Sequence, residues 1–351
     1  MADGEVTAPT SQRDVALMRR ALELAARGPL GDPNPRVGAV VVDSGGRVVG
    51  EGFHAGAGTP HAEVMALREA GASARAGTAV VTLEPCAHTG RTGPCTEALI
   101  QAGVARVVFA QPDPTPSARG GASLLEAAGI RTTSGVLADE SVLLNDAWTF
   151  SFVHGRPMVT WKFAATLDGR SAAADGSSRW ITGPAARDDV HRLRARCGAI
   201  LVGTGTVFAD DPMLTVRGSD GSALARQPLR AVMGLRPIPE TARVRDGASA
   251  TLLLVTHDPA QALKALDEQE IHHVWLEGGP TLAAAFLGAG LVDEVIAYLS
   301  PALLGAGPPA LGDLGIRTMD QALRLIPHEV TTIGPDIRIR ATVAKPNREA
   351  D

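Results

Sequence analysis

His61-Ala62-Glu63, Pro85-Cys86 and, after eight intervening residues, Cys95 bring together the residue types that can hold and use a metal ion. One imidazole and two thiolates give Zn²⁺ three protein ligands and leave its fourth position for water, whose pKa falls towards neutrality on binding. Glu63 is then the candidate catalytic residue, carrying protons from that water to a leaving group. A structural zinc site would prefer four protein ligands and has no use for Glu63. Hydrolysis is therefore the expected chemistry.

These fragments need elements to hold them. DVALMRRALELAAR, residues 14–27, spaces apolar groups as an amphipathic helix ending before Gly28-Pro29. VGAVVVDSGGRVVGEGF alternates and breaks at Ser44-Gly45-Gly46, as a hairpin does. Pro60 to Glu63 opens a helix, TAVVTLEP is a strand, and a helix follows Pro94; RVVFAQP and ASLLEAAGI complete an alternating α/β layout. Both metal fragments thus fall at helix N-termini, where the positive end of the dipole stabilises thiolates.

Composition narrows the field. A chain of 351 residues with 45% hydrophobic residues can supply two cores. No apolar run approaches ~18 residues, so no transmembrane helix is expected, and the opening MADGEVTAPTSQR lacks the basic start and apolar core of a secretory signal. A cytoplasmic enzyme is the expectation. With three cysteines, two of them in the metal pattern, a disulfide framework is not expected, and Cys197 reads as a partly buried free thiol. Residues 1–150 carry 12 Arg and no Lys against 16 acids, and the remainder 21 basic against 22 acidic residues. Neither half has the basic surface of a polyanion binder, and aromatic residues for stacking bases are scarce, so small-molecule chemistry is favoured over a nucleic-acid base deaminase.

DAWTFSFVHGRP, residues 146–157, carries no clean period, so the expected domains are 1–150 and 151–351. Beyond it, MVTWKFAATL reads as a strand, and Pro184 opens a helix with Arg187, His191 and Arg194 on one face. Such a stripe could meet a sugar phosphate, although cationic stripes are more often solvated surface. AILVGTGTVFADDPMLTVR gives a buried strand and a Gly-Thr-Gly-Thr turn, and HHVWLEGGPTLAAAFLGAG a strand, a glycine turn and a helix whose start could hold a phosphate, with Glu277 at its lip. No complete G-x-G-x-x-G occurs, and the weaker matches at Gly50 and Gly305 fall in unsuitable contexts, so a standard Rossmann site is not indicated.

The histidine-x-glutamate and proline-cysteine pair is the known signature of zinc nucleobase deaminases. With Pro33-Asn34-Pro35-Arg36-Val37-Gly38, the polar insert from Ala87 to Pro94, and LDGRSAAADGSSRWITGPAARDDVHRLRA, AILVGTGTVFADDPMLTVR and LEGGPTL in that order, the chain resembles the bifunctional riboflavin-biosynthesis deaminase-reductases over residues 14–343. The resemblance implies a cytidine-deaminase-like α/β/α zinc domain followed by a dihydrofolate-reductase-like α/β domain that uses NADPH, a pyrimidine ribosyl phosphate substrate, and dimerisation. It implies zinc on His61, Cys86 and Cys95, and substrate contacts at Asn34, His54, His88 and Arg91. His88 could also serve as a fourth ligand, but an open position favours substrate binding. In the second domain it implies NADPH contacts at Ala164, Trp180, Thr206 and Asp210, and along the turn Gly279, Pro280, Thr281, Leu282, Ala283, Ala284 and Ala285. Ser178, Arg194, Leu214, Arg217 and Glu277 would meet the ribosyl phosphate; guanidinium forks suit phosphate oxygens. Lys162 is either a surface lysine on an edge strand or a residue beside the ribosyl group.

The chain departs from the family pattern at Ala87, Arg91 and Gly93, where serine, lysine and proline are usual, and at Gly234-Leu235, where aspartate and a small polar residue are usual near the cofactor. Competing readings are a deaminase with an inactive reductase-like domain and a nucleotide-binding regulatory protein with a structural zinc.

Overall fold

The computed structural model describes residues 11–88, 93–218 and 220–344. The chain divides into two compact units, Met1–Gly155 and Arg156–Asp351.

The first unit begins with α1 (Gln12–Ala25), β1 (Gly38–Val42), β2 (Val48–Phe53), α2 (Ala62–Ala70), β3 (Thr78–Leu83) and α3 (Cys95–Ala102). It ends with β4 (Arg106–Gln111), α4 (Gly121–Ala127), β5 (Arg131–Thr133), α5 (Ala138–Leu144) and α6 (Asp146–His154). The sheet order is β2-β1-β3-β4-β5; β1 runs antiparallel to both β2 and β3, and β3, β4 and β5 are parallel. Alternation along the strands sends side chains to two cores. Val40, Val80 and Val108 join Met18, Ala21 and Leu24 of α1, while Val41, Val81 and Val107 join Ala62 and Ala66 of α2. Helices therefore cover both faces, the α/β/α arrangement expected.

Two local features differ from the sequence reading. The first helix starts two residues earlier because Ser11 caps it: its hydroxyl accepts from the Asp14 N–H, while the Asp14 carboxylate accepts from the Ser11 N–H. Residues 146–154, which show no period, form α6, with Ala147, Trp148 and Ser151 buried, and Gly155 in the left-handed region ends it at φ 65°.

The second unit contains β6 (Met158–Thr166), α7 (Pro184–Arg194), β7 (Ala199–Gly203), α8 (Thr204–Asp210), β8 (Leu229–Met233), β9 (Thr251–Leu254) and α9 (Pro259–Asp267). It continues with β10 (His273–Leu276), α10 (Pro280–Gly288), β11 (Glu294–Ser300), β12 (Leu325–Ile333) and β13 (Asp336–Val343). The eight strands are ordered β12-β13-β11-β6-β10-β7-β8-β9. The six from β11 to β9 run parallel, and β13 and β12 close one side antiparallel. Leu201, Val274 and Leu276 pack with α9 and α10; Ile200, Val202 and Trp275 pack with Ala186, Val190 and Leu193 of α7 on the other face. The expected Gly-Thr-Gly-Thr turn is instead the N-terminal start of α8, with Gly203 as its cap.

Lys162 is not on an edge strand. Strand β6 is fourth in the sheet, and Lys162 pairs in register with Ile296 of β11. Among the described residues, no helix is long and apolar enough to cross a membrane.

Candidate active sites

In the first unit α2 lies hard against β2. A Cβ on Gly50 would stand 2.1 Å from the Ala66 carbonyl oxygen, and one on Gly52 would stand 2.4 Å from that of Ala62. Only glycine permits this approach, which sets the first turn of α2 beside the ends of the strands. His61 is the N-cap of α2, and Glu63 lies in its first turn, 5% exposed.

The second fragment is fixed from behind. Glu84, at the exit of β3, accepts hydrogen bonds from the backbone N–H groups of Asp113 at 3.1 Å, Gly120 at 3.2 Å and Ala122 at 3.0 Å. Gly121 is pressed so closely on the Pro85 carbonyl that a Cβ would lie 1.8 Å from its oxygen. Cys86 is thereby held against the start of α3, where the Cys95 N–H donates to the Cys86 Sγ at 3.4 Å. Sequence reading passed over Glu84; the available signal was a carboxylate closing an apolar strand just before Pro85-Cys86.

The ligating atoms converge. His61 Nδ1 is 3.1 Å from Cys95 Sγ and 3.6 Å from Cys86 Sγ, and the three donor atoms all lie within 4.8 Å of one another. Zn–N and Zn–S bonds of ordinary length in a tetrahedron put ligand atoms about 3.3–3.8 Å apart, so this donor set fits zinc with little movement. The hydrogen bond from Cys95, with those from His61 and the Cys95 backbone, pulls the Cys86 thiol down to about 4. Cys95 is pushed up, first by its hydrogen bond to Cys86 and then by burial. Burial raises the Glu63 carboxyl, against the opposing pull of His61, which suits a group that must take up and release protons.

Asn34 and His54 meet beside this centre. Asn34 Nδ2 lies 3.0 Å from His54 Nε2, and the His54 ring stands edge-on to that of His61 at 5.4 Å between centroids. His54 is 4% exposed and its Nδ1 is 3.2 Å from the Pro60 carbonyl oxygen. Both ring nitrogens thus have partners within the protein, and one of those partners is Asn34. His88 is exposed. Arg91 lies outside the described residues.

In the second unit a cavity of about 910 Å³ opens where β6, β7 and β10 end. Parallel sheets bind ligands at this end of their strands. Lys162, Ala164, Ser178, Trp180, Arg194 and Thr206 line it, and so do Asp210, Leu214, Arg217, Glu277, Gly279 and Pro280. The remainder of the expected turn, Thr281 to Ala285, continues into α10 away from the cavity wall, and Ala283 is buried in the core. The Leu214 side chain is also mostly core, 4% exposed among Val216 and Ile238.

Arg194, expected at the ribosyl phosphate, donates from Nε to Glu277 Oε1 at 2.8 Å and from Nη2 to Oε2 of the same carboxylate. Burial raises the Glu277 carboxyl, but Arg194, Lys162 and the Trp275 indole N–H outweigh it and hold the group at about 2. Burial lowers the Lys162 ammonium, partly offset by Glu277. The cavity further includes His191, a member of the α7 stripe that the sequence offers to a sugar phosphate, and Arg179 and Arg243, which the sequence does not single out as ligands. Its volume and its strand-end position suit the nicotinamide end of a dinucleotide lying beside a second small molecule. At Trp180 the indole is 69% exposed, with the Arg187 guanidinium 4.4 Å from the ring centre.

Gly234, at the end of β8, adopts φ 143°, and a Cβ there would meet Thr204 Oγ1 at 2.7 Å. The residue that departs from the family pattern therefore has a structural reason in this chain: Thr204 occupies the space.

Comparison with known proteins matches the two units separately and the chain as a whole. Residues 11–111 match the cytidine and deoxycytidylate deaminase zinc-binding region, and residues 157–339 the RibD C-terminal domain. The riboflavin biosynthesis protein RibD of Mycobacterium tuberculosis is 51% identical over 307 residues, covering 87% of this chain and 90% of that protein. Its Escherichia coli counterpart is 43% identical, covering 93% and 98%. The structure of Acinetobacter baumannii RibD superposes with a TM-score of 0.89 at 41% identity, covering 95% of this chain and 99% of that one.

Proposed function

The chain belongs to the RibD family of bifunctional riboflavin-biosynthesis proteins, and on that premise we propose how its own residues divide the work of a zinc-dependent deaminase and an NADPH-dependent reductase. The first unit hydrolyses the 2-amino group of 2,5-diamino-6-ribosylamino-4(3H)-pyrimidinone 5′-phosphate. The second reduces the ribosyl side chain of the product to give 5-amino-6-(5-phospho-D-ribitylamino)uracil.

His61 Nδ1, Cys86 Sγ and Cys95 Sγ would hold the zinc ion, which when bound would supply the acidification of the water used in hydrolysis. Glu63 takes the proton from the attacking water and delivers protons to the ring nitrogen and then to the departing ammonia. Its burial keeps bulk water from competing for that proton. Asn34 offers its amide to the pyrimidine edge, and His88 is a substrate contact from the insert, a role that the resemblance gives to Arg91 as well. Glu84 keeps Cys86 in place.

In the second unit the cofactor, when bound, supplies hydride. Ala164, Trp180, Thr206, Asp210 and the turn opening α10 position it, while Ser178, Lys162, Glu277 and the arginines orient the ribosyl phosphate. Hydride transfer needs positioning more than acid or base groups. A cytoplasmic location, expected from the sequence, and a homodimer or higher homo-oligomer, dimerisation being what the family resemblance implies, belong to the same proposal.

The observation that carries this reading is the meeting of His61, Cys86 and Cys95 within 4.8 Å, next to a buried Glu63. Incubating the zinc-loaded protein with the diaminopyrimidine ribosyl phosphate, with and without NADPH, tests it by mass spectrometry. Deaminated product without NADPH and ribityl product with it are expected. Deamination alone would mean an inactive second unit, and no turnover would remove the reading.

A further inference from the structure

We propose that His191 is a substrate-positioning residue of the reductase, donating one hydrogen bond from Nε2 to the phosphate of the ribosyl phosphate beside Arg217. The proposal rests on the reductase reading of this cavity and gives one member of the α7 stripe, which the family resemblance does not name among the substrate contacts, a donor atom and an acceptor.

His191 lies in the last turn of α7 and lines the cavity. The ring is half-buried, and its two nitrogens differ. Nδ1 is sealed from solvent with no hydrogen-bond partner, whereas Nε2 is not sealed. A proton on Nδ1 would be a buried donor with no acceptor, which costs about 1–3 kcal/mol. Its lone pair, by contrast, is favoured near the guanidiniums of Arg194 and Arg217. The neutral ring therefore carries its proton on Nε2, as a single donor. Burial first, then Arg194 and Arg217, bring its pKa down to about 4, against the opposing pull of Glu277 and Asp188, so the ring is neutral at physiological pH.

The neighbours decide what this donor meets. Arg187 is turned to the Thr182 carbonyl and to the Trp180 ring, and Arg194 is clamped on Glu277. Among the described residues Arg217 has no carboxylate partner and His191 no hydrogen-bond partner. A neutral donor beside an uncommitted guanidinium suits an anionic acceptor better than a sugar hydroxyl, which would gain little from the positive field. Of the groups on a ribosyl phosphate, only the phosphate answers to that.

The test uses the full zinc-loaded chain. His191→Phe keeps a planar ring of similar size and removes the N–H; His191→Gln returns an N–H at the reach of Nε2. With saturating NADPH, His191→Phe is expected to raise the reductase KM for the deaminated ribosyl phosphate about tenfold, with kcat within about threefold, and to weaken ribose 5-phosphate binding alike. His191→Gln is expected to restore both, and the unphosphorylated nucleoside is expected to be indifferent to either change. Ammonia release by the first unit and thermal stability control for folding. Should His191→Phe not fold, His191→Glu sets a carboxylate at the same reach and is expected to abolish ribose 5-phosphate binding.

An unchanged KM in His191→Phe, an unchanged affinity in His191→Glu, or equal losses for the phosphorylated and unphosphorylated substrates would overturn the assignment. Failure of the unaltered protein to reduce the substrate or to bind ribose 5-phosphate would instead remove the reductase reading itself.

Discussion

Asn34 donates from Nδ2 to Nε2 of His54 at 3.0 Å, and this contact fixes which end of the amide is left for a ligand. The Pro60 carbonyl can only accept, so His54 Nδ1 carries the ring proton and Nε2 must accept. The Asn34 carbonyl is therefore the end that can take a hydrogen bond from a pyrimidine N–H or amino group. In His54→Phe the amide loses this restraint. Deaminase KM is expected to rise about tenfold, the worth of one oriented hydrogen bond, with zinc content unchanged. An unaltered KM would show that His54 does not set the amide.

Glu63→Gln keeps the size of the side chain and removes the proton carrier. Ammonia release is expected to fall by about 10²–10⁴, while bound zinc, measured by elemental analysis, and reduction of the deaminated substrate stay as they were. Retained deamination would take Glu63 out of the mechanism.

Glu84→Ala leaves the N–H groups of Asp113, Gly120 and Ala122 without their acceptor. A stability loss of at least about 2 kcal/mol is expected in chemical denaturation of the first unit. Zinc should also pass faster to a coloured chelator, because Cys86 is no longer held from behind.

The pH dependence of the second unit follows from His191. Its folded pKa, about 4, lies below the ordinary 6.5, so the unfolded chain binds more protons between these values. Stability therefore rises with pH across this window and is lost as pH falls from about 6.5 to about 4. Discounted for a half-exposed ring, the effect is about 1 kcal/mol, or roughly 2–4 °C in Tm for a unit of this size. His191→Gln should flatten that part of a Tm–pH curve; a slope identical to that of the unaltered protein would assign it to other groups.

Restoring the family's usual aspartate at position 234 is expected to harm this chain. Gly234→Asp meets Thr204 and an unfavourable φ, at a cost of about 1–3 kcal/mol. Adding Thr204→Ala should recover part of the loss. Thermal melts give the stability, and quenching of protein fluorescence by NADPH reports whether the cofactor affinity follows.

The zinc centre was legible because its ligands sit in two short fragments, each tied to the start of a helix whose period or flanking proline is visible locally. The positioning of Cys86 by Glu84 was not, since its three partners lie 29 to 38 residues further along. Helix α6 was missed for a different reason: Phe152 and Val153 are exposed while Ala147 and Ser151 are buried, so its hydrophobic residues do not mark its buried face. Lys162 could be read as an edge residue because a one-letter string does not say which strands will flank it. Arg194 was recognised as a cavity cation, but its clamp on Glu277 spans 83 residues and appears only once β10 lies beside β7.

Among the described residues, each hydrophobic cluster lies wholly on one side of the junction between Gly155 and Arg156. The zinc ligands and Glu63 fall before it, and the residues of the reductase cavity after it. A gene split at that codon would thus give two polypeptides, each keeping its own hydrophobic clusters and its own described site residues. The peptide bond between them fixes the dosage of deaminase and reductase at one to one, a ratio that two separate genes would have to hold by regulation.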